Sequence, residues 1–246
     1  MTVQFLVVIA VISVLISASL HDICSREIPD HHWWGLCILA VIYSISECGL
    51  YCGCMLSGGF LLLASYLFFE RIVGYRAVIV MIISSALLIV PYFLFTELSG
   101  WVTLSMSGFI LIMYHSGVIR GGADAKCLVC LSMVFPYYPE IGQIVWVAVY
   151  PEGFVFNPVF SILFLSLLIS SLAMLYILRK NLACGRIGFT SYPMSLEEAR
   201  SSFVWPLEDF EDGKKVLVTP MIPFLVPITI ATSFVLLFGS PLFALI

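Results

Sequence analysis

The sequence predicts an all-α, polytopic membrane fold of about eight helices with one cytoplasmic polar loop, and three observations carry that prediction. First, 61% of the 246 residues are hydrophobic and only 11% are charged, against roughly 25% charged in soluble domains. A globule so poor in charge cannot cover itself with polar groups, so lipid must be much of its solvent. Second, the apolar residues gather in runs approaching the ~20 residues that a helix needs to cross a bilayer, and the mean hydropathy is +1.10. Third, the basic residues fall at every second break between those runs.

In chain order the apolar runs cover 3–20, 33–50, 55–69, 77–95, 101–119, 125–135, 154–178 and 220–239. No Lys or Arg precedes the first run, so it reads as a retained helix rather than a cleaved secretory signal, which needs a positive start. The sixth run is short: its residues make about 16 Å of helix, while the hydrocarbon is about 30 Å thick. Pro136 and Pro139 then interrupt it. The expectation is either a kinked full span or, preferred, a short tucked helix followed by an outer interfacial piece over 141–150. The last run contains Pro220, Pro223 and Pro227, which would loosen or kink the final helix. All of 1–246 reads as one membrane-embedded domain, with a polar loop over 179–219 inserted before that helix.

Alternating spans put all 11 Lys and Arg on one side, and Glu47, Glu97, Glu140 and Glu152 on the other. Positive residues mark the cytoplasmic face, so both termini are expected outside. The 179–219 loop carries Glu197, Glu198, Glu208, Asp209, Glu211 and Asp212 with Trp205 among them. It reads as a solvated loop on the membrane surface, with the capacity to attract a basic segment. A net charge of −4 gives no footprint for nucleic acid, and nothing in the sequence fixes an oligomeric state.

The eight cysteines read mainly as small apolar residues. Cys48, Cys52 and Cys54 share one break, where a disulfide or a metal is conceivable. Cys127-x-x-Cys130 is spaced like half a zinc site but has no second pair at a suitable distance. His21, His31 and His32 read as interfacial polar groups rather than metal ligands, and His115 as a satisfied buried histidine.

Two carboxylates stand out. Asp22 ends the first run, and Asp124 lies in the polar, glycine-hinged break Arg120-Gly121-Gly122-Ala123-Asp124-Ala125-Lys126. An ionisable group at a membrane edge is expensive unless it faces water, a partner charge or a substrate. Both fall on the cytoplasmic face at matched depth. Two aspartates sharing a proton around one water are enough for peptide hydrolysis without metal or cofactor. Asp124 starts a helix near Lys126, which favours its charge, whereas Asp22 ends one. Asp124 is therefore expected as the base and Asp22 as the acid. Gly121 and Gly122 are expected to give the backbone conformations closed to other residues, letting a substrate strand approach.

These residues carry a resemblance. Asp22 followed by Ser25-Arg26-Glu27-Ile28-Pro29-Asp30 resembles the first aspartate region of type IV prepilin peptidases. Gly121-Gly122-Ala123-Asp124 resembles their Gly-x-Gly-Asp motif, with Ala123 where the second glycine would stand. The stretch 218–227 resembles the last helix of archaeal preflagellin peptidases. Four apolar runs separate the two aspartate motifs where that branch would have two. The resemblance implies a membrane aspartyl endopeptidase that removes the short basic leader of preflagellins and prepilin-like precursors. Asp22 and Asp124 would be catalytic, with Gly121, Gly122, Lys126, Arg26, Pro220 and Pro223 supporting. The other classes open to such a sequence are a proton-coupled transporter, with carboxylates near the midplane, and a non-catalytic pilus or flagellum assembly subunit.

Overall fold

A computed structural model describes residues 2–68, 75–119, 121–139, 157–183, 188, 191–201, 204–209, 215–220 and 223–239. Its elements are α1 (Thr2–Ser25), α2 (His31–Cys48), α3 (Leu50–Phe68), α4 (Tyr75–Phe95), α5 (Ser99–His115), α6 (Gly122–Val134), α7 (Pro158–Ala183), β1 (Tyr192–Ser195), α8 (Leu196–Ser201), β2 (Val204–Asp209), β3 (Lys215–Pro220) and α9 (Leu225–Phe238). Each of the apolar runs contains a helix, although 116–119 lie beyond α5 and the run over 220–239 begins in β3 and becomes helical only at Leu225.

The sequence predicts about eight spans; among the described residues, three helices are long and apolar enough to cross a membrane. These are Val3–Ser25, Arg76–Phe95 and Pro158–Ala183, while Leu50–Tyr66 and Leu225–Phe238 are shorter apolar helices. The long helices turn large side chains outward: Leu6, Ile82 and Leu172 are exposed on α1, α4 and α7.

The bundle is built around α6. This helix is buried from Cys127 to Val134 and packs on α2, α3, α5 and α7. An apolar surface on all sides is what a central helix requires. At 13 residues it is short, as the sequence predicts, and Pro136 follows it; the outer piece expected over 141–150 lies outside the described residues. Asn157 joins this end to the next helix. Its Oδ1 accepts from the Val159 N–H at 2.8 Å, capping α7, while its Nδ2 donates to the Pro136 carbonyl at 2.9 Å.

Helices α2 and α3 meet at a corner of one residue, Gly49, with φ 77°. They pack closely there because Gly53 has no side chain; a Cβ would stand 2.5 Å from the Ile45 Cα. Hydroxyls tie other helices together. Ser107 and Ser132 meet at 2.9 Å, Thr103 donates to the Ser132 carbonyl at 3.0 Å, and Ser84 to the Gly59 carbonyl at 2.9 Å. Such links and close packing tie the helices together, each hydrogen bond contributing about 0.5–1.5 kcal/mol.

The all-α expectation needs a correction. Within the predicted polar loop stands a three-stranded antiparallel sheet in the order β1-β3-β2. Val216-Leu217-Val218-Thr219 is the β-prone run that forms the central strand. Pro193 and Pro206 obscure the flanking strands, yet both sit on edges, where a missing ladder donor is tolerated. The pairing of β2 shifts register between Pro206 and Glu208. Ile177 of α7, Tyr192, Val216 and Val218 form a small core beneath the sheet, and α7 itself runs to Ala183, past the expected start of the loop. Lys180 Nζ lies 5.7 Å and 5.5 Å from the ring centres of Tyr176 and Tyr192, fixing the sheet to the end of α7. Of the acidic residues, Glu211 and Asp212 lie outside the described residues.

Candidate active site

Four chain segments converge at one end of the bundle: the end of α1, the α1–α2 turn, the start of α6 and the start of α9. The sheet lies at this same end, since β3 leads into α9.

Asp22 is buried in the last turn of α1. The chain leaves that helix through Arg26, which takes φ 59°. Left-handed backbone costs a non-glycine residue roughly 1–2 kcal/mol. It brings the guanidinium back over the preceding turn, with Nη1 at 3.7 Å from Asp22 Oδ1. The Leu225 N–H, the first in α9, donates to Asp22 Oδ2 at 3.4 Å. Ser19 locks this joint by donating to the Leu225 carbonyl at 3.2 Å and meeting Thr229 at 2.7 Å.

Asp124 lies in the first turn of α6. Its carboxylate folds back over Gly121, where a Cβ would collide with Oδ2 and stand 2.8 Å from Cγ. Gly121 has φ −84° and ψ 118°, open to any residue. The expected need for unusual backbone is thus corrected: the glycine is there for space. Gly122 is simply the first residue of α6, with Tyr114 Oη near it.

The two carboxylates lie within electrostatic reach of each other, and no hydrogen bond joins them. The sequence-selected pair is therefore brought to one end of the bundle with no hydrogen bond between its members.

The supporting residues divide. Lys126 was expected to favour the charge of Asp124, but its Nζ is held by Asp30 Oδ1 at 2.8 Å. Arg26 joins Asp22, as described. Pro220 ends β3 and Pro223 precedes α9, so neither lies within the last helix. Pro227 falls in the first turn of α9, where no intrahelical bond is lost; the expected kinking is corrected on all three positions. Arg120 lies outside the described residues. The sequence assigns no role to Tyr114, nor to Asp30 and Leu225, although both lie in the stretches that carry the resemblance. Asp30 precedes α2 and could have been noticed as a cap position; it makes no side-chain cap there and is spent on Lys126 instead.

Beside Asp22, the His31 and His32 rings stack at 4.2 Å, with His21 edge-on to His32 at 5.3 Å. His32 Nδ1 bonds the Pro29 carbonyl at 3.1 Å and Nε2 meets Ser17 Oγ at 3.0 Å. A carbonyl only accepts, so the proton belongs on Nδ1 and Ser17 donates to Nε2. Both nitrogens are thereby used within the fold. Among the described residues no three His, Cys, Asp or Glu are grouped to hold a metal ion. His115, expected to be buried, is exposed, although its Nδ1 bonds the Leu111 carbonyl at 2.8 Å. Cys127 and Cys130 are buried, and Cys130 Sγ touches Cys37 Sγ at 3.7 Å. Cys48, Cys52 and Cys54 are unbridged thiols; Cys184 lies outside the described residues.

No family model and no curated protein matches this chain.

Proposed function

We propose that the chain is a membrane aspartyl endopeptidase, removing the basic leader from preflagellin-like or prepilin-like precursors at the cytoplasmic membrane surface. One observation carries this reading: Asp22 and Asp124, 102 positions apart by their numbers in the sequence, meet within electrostatic reach at one end of a helix bundle. Such a pair is suited to a water held between one ionised and one protonated carboxyl. The ionised member removes a proton as the water attacks the scissile carbonyl, and the protonated member donates to the carbonyl oxygen. Collapse of the tetrahedral species then returns a proton to the leaving amine.

The partners of each carboxyl divide the roles, in the reverse of the sequence expectation. Asp22 has the Arg26 guanidinium and the Leu225 amide beside it, and both favour a negative charge; it is the base. Asp124 has no hydrogen-bond donor among the described residues, and it carries the shared proton. Because helical substrate must unwind to expose an amide, a site at the end of the bundle suits the chemistry. A transporter would hold its carboxylates near the midplane instead.

The apolar helices, α1 to α7 and α9, would cross or enter the bilayer with both termini outside, α6 being too short to reach across and sheltered by its neighbours. The sheet and its acidic residues would then face the cytoplasm, where leaders rich in Lys and Arg approach. The test is incubation of the purified full chain, in lipid vesicles, with a leader-bearing precursor. Cleavage by the wild type, absent in Asp22→Asn and in Asp124→Asn, supports the reading. No cleavage by the wild type, or cleavage by either variant, overturns it.

A further inference from the structure

Three histidines gather where α1 meets α2, and the two-aspartate chemistry leaves them unused. The His31 and His32 rings stack with centres 4.2 Å apart and planes at 29°, and His21 stands edge-on to His32 at 5.3 Å. His21 and His31 are exposed, while His32 is buried. The fold holds His32 in its neutral form, with Nδ1–H donating to the Pro29 carbonyl and Nε2 accepting from Ser17 of α1. This one ring therefore bridges α1, the connection and α2.

A second proton on His32 upsets those contacts. It places an N–H where Ser17 now donates, so the hydroxyl has to turn away. It also sets a buried positive ring against His31 and His21, which as free side chains charge at about pH 6.5. Like charges at such distances repel, and a buried charge without a counter-ion is costly. The ionisable groups around this corner are His21, Asp22 and Arg26 on α1, Glu27 and Asp30 in the connection, and Asp124 and Lys126 on α6; α9 brings none over Leu225–Phe238. Asp22 is paired with Arg26, and Asp30 with Lys126. The charges that act on His32 are those of His31 and His21.

We propose that His21, His31 and His32 form an acid-sensitive latch on the α1–α2 connection. Neutral, the stack holds the connection closed; protonated, it releases the connection and draws Arg26 from Asp22 and Asp30 from Lys126. The sign follows from proton binding. The closed form keeps His32 neutral, whereas the opened connection takes up a proton at about pH 6.5, so closure is complete above that value and is lost as the pH falls below it. The latch goes beyond the peptidase reading, since it is written in ring geometry; where that reading holds, leader cleavage falls over the same step.

The amides of the connection report its opening: His32 N–H bonds the Pro29 carbonyl at 3.3 Å, and the Trp33 and Trp34 N–H groups bond the Asp30 carbonyl at 3.0 Å and 3.1 Å. Hydrogen exchange of these amides is measured for the full chain in lipid vesicles at about pH 7.5 and about pH 5.5, either side of the free histidine value. His31→Phe keeps a stacked ring without a charge. His32→Asn keeps a donor for the Pro29 carbonyl and cannot be protonated. One proton taken up on opening shifts the equilibrium about tenfold over this step, so exchange, corrected for its intrinsic rate, is expected to rise about tenfold in the wild type and to change little in either variant. A rise in the wild type no larger than in His31→Phe overturns the latch, and that comparison decides alone if His32→Asn fails to fold. A wild type that cleaves no precursor removes the peptidase reading and leaves the exchange result to decide the latch.

Discussion

Lys126 Nζ stands 2.8 Å from Asp30 Oδ1, an ion pair that ties the first turns of α6 to the connection between α1 and α2. One partner rides on the helix that carries Asp124, and the other follows the helix that carries Asp22. The pair therefore sets the spacing of the two carboxyls, which touch through no bond of their own.

Breaking that tie should loosen the site. Asp30 is half exposed, and exposed pairs contribute about 0.2–1 kcal/mol. Lys126→Ala and Asp30→Asn are each expected to lower leader cleavage by up to about fivefold. The double variant should be no worse than either single one, and the effect should shrink in high salt. A double-mutant cycle on kcat/KM checks both statements; additive losses would show that the residues act separately.

Gly121→Ala separates space from backbone freedom. Its φ and ψ suit alanine, so the fold should tolerate the change, with thermal unfolding little altered. The new methyl would displace the Asp124 carboxylate. A misplacement of about 1 Å can lower a rate by roughly 100-fold, and kcat is expected to fall by that order. A kcat within twofold of wild type would mean that the carboxylate does not occupy the space over Gly121 during turnover.

Arg26→Gly should raise stability and lower activity. Glycine removes the cost of the left-handed turn, about 1 kcal/mol, and raises the unfolding temperature. It also removes the cation 3.7 Å from Asp22, so kcat should drop at least tenfold. Thermal unfolding in detergent and cleavage kinetics measure the two effects independently; a variant that is both less stable and fully active would contradict the account of this turn.

Asn181→Ala probes the sheet. The Asn181 side chain is almost fully buried, and its Nδ2 donates to the Gly188 and Ser191 carbonyls at 2.8 Å and 2.7 Å. Losing it leaves two half-buried carbonyls without that donor, at about 1 kcal/mol. Proteolysis between α7 and β1 should speed up, while the bundle stays folded. If cleavage at that junction is no faster, the side chain does not hold it.

Much of this arrangement is legible in the sequence because long apolar runs leave few ways to pair a backbone. An apolar run must satisfy its backbone internally, so the runs around Leu15, Leu88 and Val235 could only be helices. Asp22 and Asp124 stand out for the same reason, as acids where acids are costly. The sheet is less visible: Pro193, Pro206 and Pro220 imitate a loop, and Pro220 also hides that the last helix waits until Leu225. The pairing of Lys126 with Asp30 leaves no local trace, since 96 positions separate them. The space over Gly121 is equally silent, because a glycine needed for room and one needed for φ are the same letter.

Whether the two aspartates work as one unit is tested most directly by comparing Asp22→Asn, Asp124→Asn and the double variant in single-turnover cleavage of a leader-bearing precursor. Groups that act together lose nearly everything with the first substitution, so the account predicts that each single variant is as inactive as the double. A single variant that retains measurable turnover, while the double loses it, would contradict it.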